Sequence, residues 1–163
     1  WEGGHRVPFI ARWPGVVIPD SICGQLVHQA DLLATFAEIF ETKLPDNAGE
    51  DSFSLMPLLK GGTEPIREHA VSTSIGGTPS VRMGQWKYIP ARGSGGWGKG
   101  GDQSQPVQLY HLADDLGESR NLAAKNPTQV ERMKVLLEKL IVQGRSTTGP
   151  KQENDVKVWR YPK

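Results

Sequence analysis

The hydrophobic pattern of this chain changes its period close to residue 68, and that change limits the possible folds more than any other feature. Before it, apolar residues recur at helical spacing within a predicted helix from His28 to Glu41 and are expected to form one buried stripe: Leu32, Leu33, Phe36, Ile39 and Phe40. After it, apolar and polar residues alternate in short runs, which is typical of strands with one buried face. One chain must therefore supply both helices and a sheet, and we predict the α/β fold class.

The second part of the chain contains about four predicted strands, which we expect to be antiparallel. They fall in four runs: Val71–Ile75, Ser80–Met83, Trp86–Pro90 and Val107–Leu112. Only Gly84 and Gln85 separate the second run from the third, and glycine at the first of two loop positions is typical of a type II′ hairpin. Residues 91–106 form a glycine-rich loop before the last strand.

A further strand is predicted near the start of the chain. Val7, Phe9 and Ala11 alternate with their neighbours, and Gly15 lies in the turn that ends the run. A polar stretch from Pro45 to Asp51 later interrupts the apolar pattern.

The clearest predicted helix runs from Pro127 to Gln143. Asn126 is a preferred capping residue, proline suits the first helical position, and Gly144 is a typical stop. Its apolar positions form one stripe: Val130, Met133, Leu136, Leu137, Leu140 and Ile141. We therefore expect this helix to pack on one face of the antiparallel sheet.

The charge balance and the apolar runs exclude two classes of protein. Nineteen basic and 18 acidic residues give a net charge of +1, whereas binding nucleic acid through its phosphates calls for a basic excess. No apolar run approaches the roughly 20 residues that a membrane-spanning helix needs. We therefore predict no nucleic-acid partner and no membrane span. The single cysteine, Cys23, cannot form an internal disulfide.

The glycine-rich loop matches part of a phosphate-binding pattern. Residues 93–100 read GSGGWGKG, but the position after Lys99 is Gly100 where that pattern needs Ser or Thr to hold magnesium. The next residues do not predict the helix whose amino terminus would face the phosphate. A flexible surface loop is therefore favoured over a nucleotide site, and Trp97 is left as a side chain that can stack on a sugar ring.

Residues 46–51 (DNAGED) carry oxygen ligands of the kind that calcium prefers, but they lack the spacing of a calcium-binding loop. A solvated turn is favoured here, and we predict no metal site within residues 1–163. No nucleophile lies in a catalytic pattern either, because Cys23 has no base nearby in sequence. Taken alone, composition and spacing do not identify a reaction.

Five segments, in order along the chain, resemble motifs of the type I sulfatases. They are residues 1–8 (WEGGHRVP) with 13–15 (WPG), 31–35 (DLLAT), 51–59 (DSFSLMPLL), 81–88 (VRMGQWKY) and 108–123 (QLYHLADDLGESRNLA). The resemblance implies an alkaline-phosphatase-like fold. Residues 1–62 are expected to end its large mixed-sheet domain, residues 63–145 to form a small α+β subdomain, and residues 146–163 to form an extended tail.

The resemblance also implies sulfate-ester hydrolysis by an intact parent protein. In this family a formylglycine, made from Cys or Ser in a C/S-x-P-S-R motif, attacks the sulfate and calcium stabilises charge. Residues 78–82 (TPSVR) depart from that motif, and the family's calcium ligands and sulfate-binding lysine are expected before Trp1. We therefore expect a carboxyl-terminal part of a sulfatase, inactive alone, whose partners are its missing amino-terminal half and a sulfated small molecule or glycan.

Three residues are candidates for substrate binding under this resemblance: His5, Arg6 and Trp97. The structural alternative for Arg6 is an ion pair with Glu2. Two other functions stay open, namely a phosphatase or phosphodiesterase of the same superfamily and a non-catalytic module that binds sulfated carbohydrate. The family suggests a secreted, periplasmic or lysosomal protein.

Overall fold

A computed structural model gives the structure of the chain and describes residues 1–96, 98, 100 and 102–154. Its contacts divide the chain into two units. The sheet unit contains Trp1–Val7, His69–Val142 and Asn154, and the helical unit contains Pro8–Glu68 and Gln143–Glu153. Residues 1–7 therefore join the sheet unit, whereas the sequence alone grouped them with residues 8–62. The domain boundary after residue 62 and the tail from residue 146 stay predictions.

The secondary structure consists of four α-helices, one 3₁₀ turn and four strands within the described residues. In chain order they are α1 (Glu2–His5), α2 (Asp31–Ile39), α3 (Met56–Leu59), β1 (His69–Thr73), β2 (Pro79–Met83), β3 (Trp86–Ile89), β4 (Gln108–His111), the 3₁₀ turn Ala123–Lys125, and α4 (Pro127–Gln143). In that part of the chain, no helix is both long enough and apolar enough to cross a bilayer.

The four strands form one antiparallel sheet in the order β1-β2-β3-β4, which confirms the predicted sheet. Gly84 has a φ of +56°, so the two-residue turn between β2 and β3 uses the left-handed backbone that glycine adopts at little cost. Because side chains alternate along a strand, the cross-strand pairs divide into two rows on opposite faces.

One face of the sheet is apolar and packs against α4. Val81 lies opposite Tyr88, Tyr88 lies opposite Leu109, and all three pack with Met133 and Leu137 of the helix. The helix has the bounds that its sequence predicts, and its stripe faces the sheet. This face supplies the larger hydrophobic cluster of the described residues.

The other face of the sheet carries a row of polar and aromatic residues. Arg82 lies opposite Lys87, and Lys87 lies opposite Tyr110. Trp1 packs against a second apolar cluster around Tyr110, together with Ile89, Ala91 and Leu112. The first residues of the chain therefore belong to this polar face.

The helical unit contains α2 where the sequence predicts a helix, although the helix is shorter than His28–Glu41. The prediction that its apolar stripe is buried is wrong at Leu33, Phe36 and Phe40, which are exposed. The strand expected at residues 7–12 is wrong, because that segment forms no strand and its apolar Val7, Phe9 and Ile10 are exposed. A strand is stable only beside a partner strand, and the alternating pattern of residues 7–12 has none in the described unit.

Candidate functional site

Two of the three predicted substrate-binding residues lie at the end of α1. His5 is the last residue of that helix and is half-buried, and Arg6 follows it with 52% of its side chain exposed. Both belong to the sheet unit, together with Lys87 and Arg82. Trp97 lies outside the described residues, so the structure gives it no position.

The carboxylate of Glu2 holds this segment together. Arg6 donates to Glu2 Oε2 at 3.2 Å, which confirms the ion pair that the sequence offered as the structural alternative. The guanidinium of Arg82 lies 3.7 Å from the same oxygen, and Lys87 Nζ donates to Oε1 at 3.1 Å. Three cationic side chains therefore lie against one carboxylate, and two of them, Arg6 and Arg82, are partly exposed.

Lys87 is shared between two carboxylates. Its Nζ lies 2.9 Å from Glu118 Oε1 as well as 3.1 Å from Glu2 Oε1, and the backbone N–H of Glu2 donates to Glu118 Oε2. Only 2% of the Lys87 side chain, 1% of Glu118 and 10% of Glu2 are exposed. We call Glu2, Lys87 and Glu118 the ionic cluster.

The electrostatics of the ionic cluster keep Glu2 charged. Burial by itself raises the pKa of a carboxyl group, but Lys87, Arg82 and Arg6 outweigh burial, and the pKa of Glu2 lies below its usual range. Glu2 is therefore ionised at neutral pH.

A neutral hydrogen-bond network lies beside the ionic cluster on the same face. Gln108 is fully buried, and its Oε1 accepts from Tyr110 Oη at 2.7 Å while its Nε2 donates to the carbonyls of Ala91 at 2.7 Å and Gly93 at 2.8 Å. Burial, followed by the charge of Glu118, raises the pKa of Tyr110 to about 12. Gln108 therefore fixes the first residues of the glycine-rich loop to the sheet.

Comparisons with known proteins agree on one family. The N-acetylgalactosamine-6-O-sulfatase of Bacteroides thetaiotaomicron is 35% identical over 143 residues, covering 85% of this chain and 28% of that protein. Arylsulfatase A of Homo sapiens is 31% identical over 173 residues, covering 93% of this chain and 34% of that protein. The chain belongs to the sulfatase family.

A solved structure supports the same assignment for this sulfatase chain. The structure comes from work on glycosaminoglycan metabolism by Bacteroides thetaiotaomicron; it is 34% identical with a TM-score of 0.74, covering 85% of this chain and 30% of that chain. The sheet and the carboxyl-terminal helix thus belong to the alkaline-phosphatase-like fold of sulfatases. No protein-family model matches the sequence. Because these relatives are sulfatases, the phosphatase alternative is not favoured.

Two of the quoted sulfatase motifs have a structural role in the helical unit. Arg67 donates to the fully buried carboxylate of Asp31, which also accepts from the backbone N–H groups of His28 at 2.7 Å and Phe53 at 3.0 Å. The hydroxyl of Thr35 accepts from the N–H of Leu55 at 2.9 Å. These bonds attach α2 to residues 52–55, so the motif residues 31 and 35 stabilise this unit.

The acidic turn at residues 46–51 binds protein groups. Ser146 donates its backbone N–H to Asp51 Oδ1 at 2.8 Å, Arg145 Nη1 donates to the carbonyl of Asp46 at 3.3 Å, and Thr147 Oγ1 donates to the carbonyl of Glu50 at 2.7 Å. Among the described residues, no group of three His, Cys, Asp or Glu side chains is arranged to hold a metal ion.

The glycine-rich loop continues without the helix that a phosphate site requires. Residues 102–107 are described and form no helix. The loop is instead closed by protein contacts, because Gly93 N–H donates to the carbonyl of Asp102 at 3.0 Å and Asn121 Nδ2 donates to Asp102 Oδ2 at 2.8 Å. This agrees with the surface loop that the sequence favours.

The sequence did not identify Lys87, Glu118 and Gln108 as members of this site. One signal was available, because the alternation of β3 puts Lys87 on the face opposite Tyr88, where a lysine can be buried only beside carboxylates. Those carboxylates are Glu2 and Glu118, which lie 85 and 31 residues from Lys87 along the chain (87 − 2 and 118 − 87), and no local pattern encodes these contacts.

Proposed function

We propose that this chain is the carboxyl-terminal part of a sulfatase that hydrolyses sulfate esters of sugars. The observation that carries the proposal is the 35% identity to an N-acetylgalactosamine-6-O-sulfatase over 85% of this chain. The chain spans only 28% of that relative, so the activity belongs to a longer polypeptide than residues 1–163.

Within that polypeptide, His5 and Arg6 contribute to the rim of the substrate site. A sulfate ester keeps a negative charge, which a guanidinium binds well because its planar N–H groups match the oxygens. Arg6 uses one nitrogen for Glu2 and leaves half of its side chain exposed to a ligand. The imidazole of His5 adds a second hydrogen-bonding group one residue away.

The proposal also includes Trp97 of the glycine-rich loop, as a side chain that stacks on the sugar ring. A sugar ring presents an apolar face of C–H groups, and an indole ring is a suitable surface for it. This role for Trp97 rests on the sequence alone.

The reacting groups are expected from outside residues 1–163. The described residues offer no set of calcium ligands, and the motif that yields formylglycine is absent from the sequence. Neither group fits this chain, and no catalytic step is assigned to its residues.

Exposed apolar side chains of the helical unit support the proposal that a partner covers its surface. Several large apolar side chains of this unit are exposed: Phe9, Ile10, Ile18, Ile22, Phe36 and Phe40. A contiguous exposed apolar patch marks an interaction site, and the proposal takes these side chains as parts of such a patch. The proposed partner is the amino-terminal half of the same sulfatase.

The experiment compares two polypeptides with p-nitrophenyl sulfate and N-acetylgalactosamine 6-sulfate as substrates. One is residues 1–163, and the other adds the coding sequence that precedes Trp1 in the source genome. We expect release of sulfate from the longer polypeptide and none above a buffer blank from the shorter one. Turnover by the shorter chain, or none by a folded longer one, would contradict the proposal.

Two variants of the longer polypeptide test the rim. Arg6→Ala should raise KM for the sulfated sugar, since one cation for the substrate is lost, whereas the exposed Arg12→Ala is the matched control and should leave KM unchanged. If both variants behave like the parent, Arg6 has only its structural bond to Glu2. Sugar binding by residues 1–163 that Trp97→Ala abolishes, without turnover by the longer polypeptide, would support the binding-module alternative.

A further inference from the structure

The ionic cluster joins three distant parts of the chain at one buried point. Lys87 comes from the middle of the sheet, Glu2 from α1, and Glu118 from the segment that follows β4. A buried ammonium group is stable only if carboxylates surround it, and Lys87 has two within 3.1 Å. The cluster therefore fixes where α1 lies on the sheet.

Helix α1 depends on such an anchor. It has only four residues, and the side chain of its N-cap residue, Trp1, makes no capping hydrogen bond. A helix of one turn does not persist by its own hydrogen bonds, because the first turn costs more conformational entropy than one bond returns. Its amino end is instead held by the bond from Glu2 N–H to Glu118 Oε2, and its side by the pair between Glu2 and Lys87.

Glu118 pays a conformational cost to reach this position. Its φ is +52°, in the left-handed region that favours glycine, and Gly117 lies directly before it. A strained backbone persists only where the surrounding contacts determine it, and such residues cluster at functional sites. Glycine at position 118 would relieve the strain but would remove the carboxylate that binds both Lys87 and the backbone of Glu2.

We propose that Lys87 and Glu118 are positioning residues for His5 and Arg6. They act through Glu2: they hold α1 in place, and α1 sets the position of the two residues at its end. The effect on substrate rests on the proposed function, whereas the anchoring of α1 is a property of residues 1–163 alone.

The anchoring is tested by amide hydrogen exchange of residues 1–163. In Lys87→Met, the amides of Gly4 and Arg6, which donate within α1, should exchange at least about tenfold faster relative to the Leu137 amide. Lys134→Met, which removes an exposed lysine of a surface pair with Glu131, is the matched control and should leave that ratio unchanged. An unchanged ratio in Lys87→Met would overturn the anchoring.

Two milder variants keep the test decisive if Lys87→Met does not fold. Lys87→Arg keeps the positive charge and should retain most of the protection of Gly4 and Arg6. Glu118→Gln keeps an oxygen for the Glu2 N–H but loses the charge, and it should show an intermediate ratio. If the protection of the Gly4 and Arg6 amides falls in all three variants only as far as overall stability falls, the anchoring is overturned as well.

The consequence for substrate is tested in the longer polypeptide with N-acetylgalactosamine 6-sulfate. Lys87→Met should raise KM per folded molecule more than it lowers kcat, because the rim moves and the reacting groups do not, and Lys87→Arg should restore KM. A lower melting temperature with both kinetic constants unchanged would overturn the positioning role and leave the proposed function intact. Absence of turnover in the parent would instead overturn the proposed function, while the exchange data still decide the anchoring.

Discussion

The two units of this chain differ in how many of their large apolar side chains they bury. The sheet unit encloses Leu109, Met133 and Leu137 completely between β4 and α4. In the helical unit the buried large apolar residues are Leu55 and Met56, whereas others, Phe36 and Phe40 among them, are exposed. Both units bury charged and polar groups, but the sheet unit has the larger buried apolar core and the helical unit leaves more of its large apolar side chains exposed.

This difference indicates which apolar surfaces are covered within the chain and which are not. Burial of one large aliphatic side chain contributes roughly 1.5–3 kcal/mol, and α4 supplies several of them to the sheet. The exposed part of a phenylalanine side chain contributes nothing of this kind until another surface covers it. The comparison predicts that the two units respond to different substitutions, and hydrogen exchange in α2 and α4 reports on them separately.

The largest effect is expected from Asp31→Asn in the helical unit. The change leaves the guanidinium of Arg67 buried without its carboxylate, and breaking a buried ion pair costs about 3–5 kcal/mol. Protection of the α2 amides should fall by that amount, while the α4 amides change little. Asp114→Asn is the control, because Asp114 is exposed and its pair with His111 contributes at most about 1 kcal/mol. An equal loss in both helices would mean that the units unfold together and would remove the contrast.

Leu137→Ala should lower the protection of the α4 amides and leave that of the α2 amides nearly unchanged. Leu137 is fully buried in the cluster with Val81 and Leu109, so the cavity should cost about 2–5 kcal/mol and should appear in the α4 amides. Val135→Ala, on the same helix with 52% of the residue exposed, should cost under about 1 kcal/mol. A melting temperature of Leu137→Ala within a degree or two of the parent would contradict the burial of this side chain.

The sequence predicted correctly those elements that depend on residues close together along the chain. The bounds of α4, the hairpin at Gly84 and the four strands follow from patterns within about 20 residues of one another. The segment 7–12 shows where this fails, since its alternation is that of a strand but the described unit contains no strand beside it. Local spacing cannot report whether a neighbour is present.

The candidate site divides in the same way. The pair between Arg6 and Glu2 spans one helical turn and could be anticipated from sequence, whereas the contacts of Lys87 with Glu2 and Glu118 could not. Glu118 in particular has a left-handed backbone and a buried carboxylate beside Lys87, and neither feature is evident from the residues next to it.

A pH titration tests the electrostatic part of the sheet unit. Burial raises the pKa of Glu2, but Lys87, Arg82 and Arg6 together lower it in the folded state, so its stabilisation is present above the unfolded pKa near 4.5. That stabilisation is lost as the pH falls through the lower folded value. The α4 amides of the parent should therefore lose protection on acidification more steeply than those of Glu2→Gln.

The control for this titration lies in the helical unit. The protection of α2 should have the same pH dependence in the parent and in Glu2→Gln, because Glu2 belongs to the sheet unit. Parallel pH profiles of α4 in the two proteins would show that Glu2 has the same pKa folded and unfolded.

The smallest effect on stability is expected from Phe36→Ser on the exposed face of α2. About half of Phe36 is exposed, at 51%, so the free energy of unfolding should change by only about 1 kcal/mol beyond the small difference in helix propensity. Self-association should fall, because one of the uncovered apolar side chains is removed. Sedimentation velocity at several concentrations measures that association, and urea unfolding measures the stability.

In the longer polypeptide the same substitution should cost about 3 kcal/mol or more if the proposed amino-terminal half covers this face, since a buried phenylalanine is then lost. Equal, small effects in both polypeptides would show that α2 stays uncovered and that the contrast between the units does not reflect a missing partner.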